Sequence, residues 1–192
     1  MAFGFFKKKK KEEDKTPHYD PNHIRIIDIR VGFFLEYDAR TWEVAEEYEY
    51  DWGDNEFSYS YLLRSSDSEI YLSLENDGEL EIAITNKIRL MKLGEDLDDQ
   101  IAENERPPKT ITYEGIKYYR DNESPGYYRN TATTEREKSV EMITWDYYDD
   151  DEEKTISIEQ FGEREFEAYV GVYVEEFEFS NILPSSEPPV AL

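Results

Sequence analysis

Residues 71–84 read YLSLENDGELEIAI. Leu72 and Leu74 alternate with Tyr71, Ser73 and Glu75, and beyond Asn76-Asp77-Gly78 the alternation resumes in Leu80, Ile82 and Ile84. A period of two marks a β-strand with one apolar face. A glycine that accepts positive φ suits the tight turn of a hairpin. The stretch therefore reads as two antiparallel strands. A matching pattern returns without a gap at an offset of 84, in TISIEQFGEREFEA (155–168). Ser73/Ser157, Glu75/Glu159, Gly78/Gly162, Glu79/Glu163 and Glu81/Glu165 are identical, and Leu72/Ile156 and Leu74/Ile158 are equivalent apolar positions. Upstream, YDARTW (37–42) resembles YEGIKY (113–118) at an offset of 76, which leaves eight extra residues in the second copy. The chain reads as an internal duplication.

Outward from the hairpin the same period continues. In TWEVAEEYEY (41–50), Trp42, Val44, Tyr48 and Tyr50 share a face interrupted by Glu46, opposite Thr41, Glu43, Ala45, Glu47 and Glu49. One buried and one wet face is the expectation. DWGDN (51–55) supplies a turn, after which Phe57, Tyr59, Tyr61 and Leu63 align. Residues 86–108 break the pattern: Leu97 and Ile101, four apart, give one stripe on a short helix that Pro107 and Pro108 end. ITYEGIKYY, a Ser124-Pro125-Gly126 turn, EMITWDYY, KTISIEQ and EREFEAYV complete the second half. The expected organisation is a basic and apolar N-terminal tail (1–23), a first β repeat (24–88), a linker with a short helix (89–109), a second β repeat (110–184) and a C-terminal tail (185–192). The fold class is all-β and mainly antiparallel, with two related sheet halves packed as a sandwich or a partly open barrel.

Composition bounds the chemistry. The chain has 192 residues and a formal charge of −24, yet 15% of it is aromatic, which argues for a folded body. The absence of cysteine removes disulfides, thiolate metal sites and cysteine nucleophiles. No apolar run approaches the roughly 18–20 residues of a membrane span. Charge is unevenly placed. MAFGFFKKKKKEEDK (1–15) carries a net +3, which leaves −27 on the remainder. A body that acidic repels phosphates, so nucleic acid is excluded as a partner, while a basic protein or a polyamine would be attracted.

The candidate residues follow from charge and pattern. Phe3, Phe5 and Phe6 beside Lys7, Lys8, Lys9, Lys10 and Lys11 combine an apolar tip with a polybasic patch, the two signals that hold a protein on an anionic lipid surface. Glu75, Glu79, Glu159 and Glu163, with Asp149, Asp150 and Asp151 of DYYDDDEEK (146–154), are the candidates for contact with a cation or basic partner. Glu75 and Glu159 fall opposite Leu72 and Ile158 and next to a turn, where solvated carboxylates are expected; an acid/base pair would need a pocket that separates their pKa values. The acidic run lacks the spaced ligands and central glycine of a calcium loop. His18 and His23 are read as exposed loop residues. No catalytic residue, metal site or cofactor is expected.

The order of VGFFLEYDARTWEV, YDWGDNEFSYSYLL, YLSLENDGELE, YEGIKYY, SPGYY, TISIEQFGEREFEAYVG and FSNILP resembles a bacterial family known as domain of unknown function 4178, over roughly residues 28–184. The resemblance implies an all-β fold, no established enzymatic activity and genes near envelope-associated neighbours that include spermidine-synthase-like enzymes. Asp38-Ala39 stands where the family has Asp-Gly, and alanine accepts positive φ poorly. Three readings of function follow. One is a non-catalytic adaptor in the cytoplasm, peripheral on the inner face of the membrane. Another is a binder or sensor of polyamines or other small cations, since carboxylates beside tyrosine faces suit ammonium groups. The third is an enzyme of unrecognised type, which would need a concave pocket holding carboxylates of displaced pKa.

Overall fold

The computed structural model describes residues 19–76 and 78–184. The strands are β1 (Phe34–Tyr37), β2 (Arg40–Gly53), β3 (Glu56–Arg64), β4 (Glu69–Asn76), β5 (Leu80–Ile88), β6 (Thr110–Tyr113), β7 (Ile116–Asn130), β8 (Val140–Tyr148), β9 (Lys154–Gly162), β10 (Glu165–Tyr173) and β11 (Ser180–Leu183). The helix α1 (Leu97–Asn104) lies between β5 and β6, with Leu97 and Ile101 buried as their spacing predicts.

All the strands belong to one antiparallel sheet in the order β11-β1-β2-β3-β4-β5-β10-β9-β8-β7-β6. A second pairing of β2, Tyr48–Asp51 against Tyr127–Asn130 of β7, closes the strands from β2 round to β7 into a ring of eight. The halves are thus joined edge to edge through β2/β7 and β5/β10, which gives the barrel-like of the two expected arrangements. β6–β10 repeat the pairing of β1–β5 strand for strand.

The likeness of the halves extends to irregularities. Val44 faces Leu63 and Glu46 faces Leu62, so Ala45 is an extra residue in β2; Arg120 faces Tyr147 and Asn122 faces Asp146, so Asp121 is its counterpart in β7, 76 residues on. The eight additional residues fall around the β7–β8 connection: residues 131–139 replace the two-residue Asp54-Asn55 loop, and β7 is one residue longer than β2. The gap-free offset of 84 does not survive the hairpin turn. Glu75 faces Glu81, but Glu159 faces Glu167, not Glu165, because the second hairpin is two residues longer.

Contacts between strands that are not neighbours identify the inner face of the ring. Tyr48 of β2 meets Tyr71 of β4, Tyr71 meets Tyr169 of β10, and Tyr128 of β7 meets Phe161 of β9, with ring centroids 5.1–6.4 Å apart. The alternate residues point outward and form two separate hydrophobic clusters. In one, Leu35, Val44, Leu63 and Leu72 pack with Ile26 and Ile29 of the N-terminal segment and with Phe179. In the other, Leu97 and Ile101 of α1 cover Trp145, Tyr147, Ile156 and Ile158. The apolar cores therefore lie outside the ring, under segments folded over it, and the inner face carries aromatic and polar residues instead.

Two expectations change with this geometry. The extra residue at Ala45 reverses the faces of β2, so Trp42 and Val44 join the outer core while Tyr48 and Tyr50 turn to the inside. A bulge adds one residue to one strand only, and a strict alternation cannot continue through it. Ser124-Pro125-Gly126 is no turn: β7 runs straight through it, with Pro125 opposite Ile143. That part of β7 lies between the segments paired to β6 and to β2, so among the described residues it pairs with β8 alone, the edge setting in which a missing N–H is tolerated.

Candidate functional site

The inner face encloses a lumen of about 170 Å³ to which all eight ring strands contribute. Two kinds of side chain dominate it. Short hydroxyls come from β3, β4, β8 and β9 as Ser58, Ser60, Ser73, Thr144, Thr155 and Ser157. Aromatic faces come from Tyr50, Trp52, Tyr71 and Tyr169, with Trp52 stacked beside Tyr50 at 5.6 Å. The small hydroxyls leave the interior open; Thr144 and Ser157 lie 3.0 Å apart, and Ser58 accepts from Trp52 Nε1 at 2.9 Å. Trp52 packs over Gly126, where a Cβ would fall 2.7 Å from its ring.

Carboxyl groups complete the lining. Glu159 of β9 is 7% exposed and lies three strands round the ring from Tyr50 of β2, whose hydroxyl donates to its Oε1 at 3.1 Å. Its other oxygen, Oε2, is buried and has no hydrogen-bond partner among the described residues. Burial pushes this carboxyl up to about 8, helped by the neighbouring charges of Glu167 and Asp146, while the Tyr50 hydrogen bond and Lys87 act the other way. Burial likewise raises Asp146, against the hydrogen bonds from Ser157 and Thr144. Lys87 is held by Glu167, which also accepts the Tyr169 hydroxyl at 2.5 Å.

Glu81, Tyr148 and Tyr173 line both the lumen and an adjoining vestibule of about 600 Å³. Asp121, Asp149, Asp150, Glu152 and Glu175 make the vestibule acidic, with Arg120 as its basic member. Among the described residues no three His, Asp or Glu side chains converge closely enough to hold a metal ion.

The structure thus sorts the residues singled out from sequence. Glu75 and Glu159 both line the lumen, and Asp149 and Asp150 line its vestibule. Glu79 and Glu163 are exposed on turns, and Asp151 is exposed beside the vestibule loop. Glu159 is the departure: a residue expected to be solvated is enclosed, because the face opposite Ile158 is the inside of a ring. Phe3, Phe5, Phe6 and Lys7–Lys11 lie outside the described residues, as does His18. Sequence reasoning missed Tyr50, Tyr71, Asp146 and Tyr169. A signal was available: opposite the apolar residues, β3, β4 and β9 carry serine, threonine and tyrosine with few lysines or arginines, unlike a solvated face.

The fold and lumen define an all-β protein whose closed antiparallel ring carries its apolar cores on the outside and a polar, acidic cavity within. The chain belongs to the family described as Domain of unknown function (DUF4178), whose model matches residues 30–176. It is similar to an "Uncharacterized protein" of Aquifex aeolicus (strain VF5), 27% identical over 179 residues that cover 93% of this chain and 94% of that one. No solved structure matches. The family assignment names no catalytic activity. Among the described residues no helix is long and apolar enough to cross a membrane.

Proposed function

We propose that the protein is a non-catalytic receptor for a small organic cation, a polyamine or a similar ammonium ion, held in the lumen. The observation that carries this reading is Glu159, a buried carboxyl that lines the cavity and whose Oε2 has no hydrogen-bond partner among the described residues. Buried polar atoms are nearly always satisfied, so an orphan on a cavity wall asks for a donor from outside. An ammonium group supplies such donors, and the faces of Tyr50, Tyr71 and Tyr169 add cation–π attraction. The acidic vestibule would concentrate cations at the entrance. The matching bulges at Ala45 and Asp121 support descent of the two halves from one duplicated unit, with a single lumen formed between them.

The test is the melting temperature of the full chain with spermidine, compared with sodium chloride at equal ionic strength. A ligand that binds only the folded state raises stability by mass action. The expected result is a saturable rise beyond the salt control, largely lost in Glu159→Gln. Equal shifts from spermidine and from salt would overturn the reading. Because a concave pocket with a displaced carboxyl also suits catalysis, recovery of unchanged spermidine by mass spectrometry after long incubation separates binding from turnover.

A further inference from the structure

We infer that the lumen exchanges a proton for its cation: an ammonium ion binds as Glu159 gives up the proton it carries in the empty protein. This rests on the receptor reading and adds how the site is regulated. The geometry calls for a neutral carboxyl when the lumen is empty. Glu159 is 7% exposed, accepts one hydrogen bond and forms no ion pair among the described residues. A carboxylate so enclosed would carry an uncompensated buried charge, and such groups neutralise instead.

Each surrounding strand bears on this. Tyr50 from β2 donates to Oε1, and Tyr71 from β4 and Tyr128 from β7 present phenols nearby. Lys87 from β5 is the nearby cation, but it pairs with Glu167 of β10 and lies over the Tyr169 ring at 5.8 Å. Asp146 from β8 and Glu167 add negative charge, which disfavours a second anion. Tyr169 spends its hydroxyl on Glu167. The displaced titration of Glu159 agrees with this arrangement.

An arriving ammonium reverses the balance. Its N–H donates to Oε2, its charge compensates the carboxylate, and the carboxyl proton leaves to solvent. The ammonium charge replaces that of the proton, so the pair it forms with Glu159 stays neutral. Binding is then linked to pH: affinity weakens about tenfold for each unit of acidification in the range where Glu159 is protonated and the ligand is fully charged. A lumen built this way holds its cation in neutral to alkaline surroundings and releases it on acidification.

The experiment is calorimetric titration of the full chain with spermidine at pH 7, in phosphate and in Tris, whose protonation enthalpies differ. The expected result is an enthalpy difference equal to the release of close to one proton per bound ligand, with affinity falling about tenfold from pH 7 to 6. Glu159→Gln should bind weakly and show the same enthalpy in both buffers. Binding by the wild type with no buffer dependence overturns proton exchange and leaves the receptor standing; proton release that persists in the variant also overturns it. Absence of any binding overturns both. Should the variant fail to fold, infrared difference spectra of the wild type decide: spermidine must remove a protonated-carboxyl band, and an unchanged band overturns the exchange.

Discussion

Tyr50 and Glu159 are 109 residues apart in the chain and meet inside the barrel, phenol to carboxyl, at 3.1 Å. Neither strand is a neighbour of the other. The bond therefore exists because the ring closes, and it joins the first half of the chain to the second across the lumen.

Stability should depend on pH through Glu159. The folded carboxyl titrates at about 8 against an ordinary 4.5, so the folded state binds the extra proton between those values. Its contribution is complete at low pH and is lost as pH rises through that window. Urea unfolding at pH 5, 7 and 9 should show wild-type stability declining more steeply than that of Glu159→Gln. The comparison with the variant cancels the general self-repulsion of an acidic body. Parallel declines would refute the assignment.

The β2/β7 seam has its own lock. Glu49 of β2 is 5% exposed and accepts from Arg129 Nε at 2.8 Å and from Arg136 Nη2 at 2.6 Å. Burial alone would raise this carboxyl, but the two guanidinium groups hold it below its ordinary value. Removing one member of a buried pair strands the other. Glu49→Ala should lower unfolding free energy by about 3 kcal/mol, and the loss should exceed that of Arg136→Ala, whose side chain is 56% exposed. This carboxylate works opposite to Glu159: its share of the stability is present above the ordinary carboxylate range and is lost on acidification.

The β1/β2 hairpin contains a residue it does not suit. Asp38 and Ala39 have φ of 48° and 56°, while the equivalent loop of the second half uses Glu114 and Gly115 at 51° and 82°. The structure thus forces the departure noted in the sequence, alanine in place of glycine, into the left-handed region. Ala39→Gly should raise stability by about 0.5–1 kcal/mol, since the steric cost of a Cβ there outweighs the added freedom of the unfolded chain. A thermal melt that shows no gain would count against the turn geometry.

At the other seam, β5 and β10 approach around Gly171. A Cβ there would fall 2.0 Å from the Ile84 carbonyl oxygen and 2.7 Å from Thr85 Cα, both backbone atoms that cannot swing aside. Gly171→Ala should destabilise by about 1–3 kcal/mol or more. It should also disturb spermidine binding, because Thr85 and Tyr169 beside it line the lumen. A variant with wild-type melting would show that the two strands part at Gly171 without cost.

The N-terminal lysines carry a separate expectation from composition. Five lysines contribute on the order of 1 kcal/mol each near an anionic surface. The full chain should co-sediment with anionic vesicles at low salt, and a chain lacking residues 1–15 should not. Equal partitioning of the two chains would remove the membrane from consideration.

The two-residue period and the hairpin at 71–84 were enough to establish strands, their antiparallel pairing and the likeness of the halves, because alternation is a local consequence of the pleat. The helix at Leu97–Asn104 was equally legible from Leu97, Ile101 and the prolines that follow. The bulge at Ala45 was not. One added residue leaves no mark in composition, yet it turned Tyr48 and Tyr50 from the outer core to the inner face of the ring. Nor could alternation say which face is inside: apolar residues indicate burial, and here they are buried on the outside of a ring by α1 and the N-terminal segment. Closure of β2 on β7 decided the rest. It placed Glu159 beside Tyr50 and away from water, and burial, a property of the assembled ring and not of the residue, is what raises its carboxyl and shapes its chemistry.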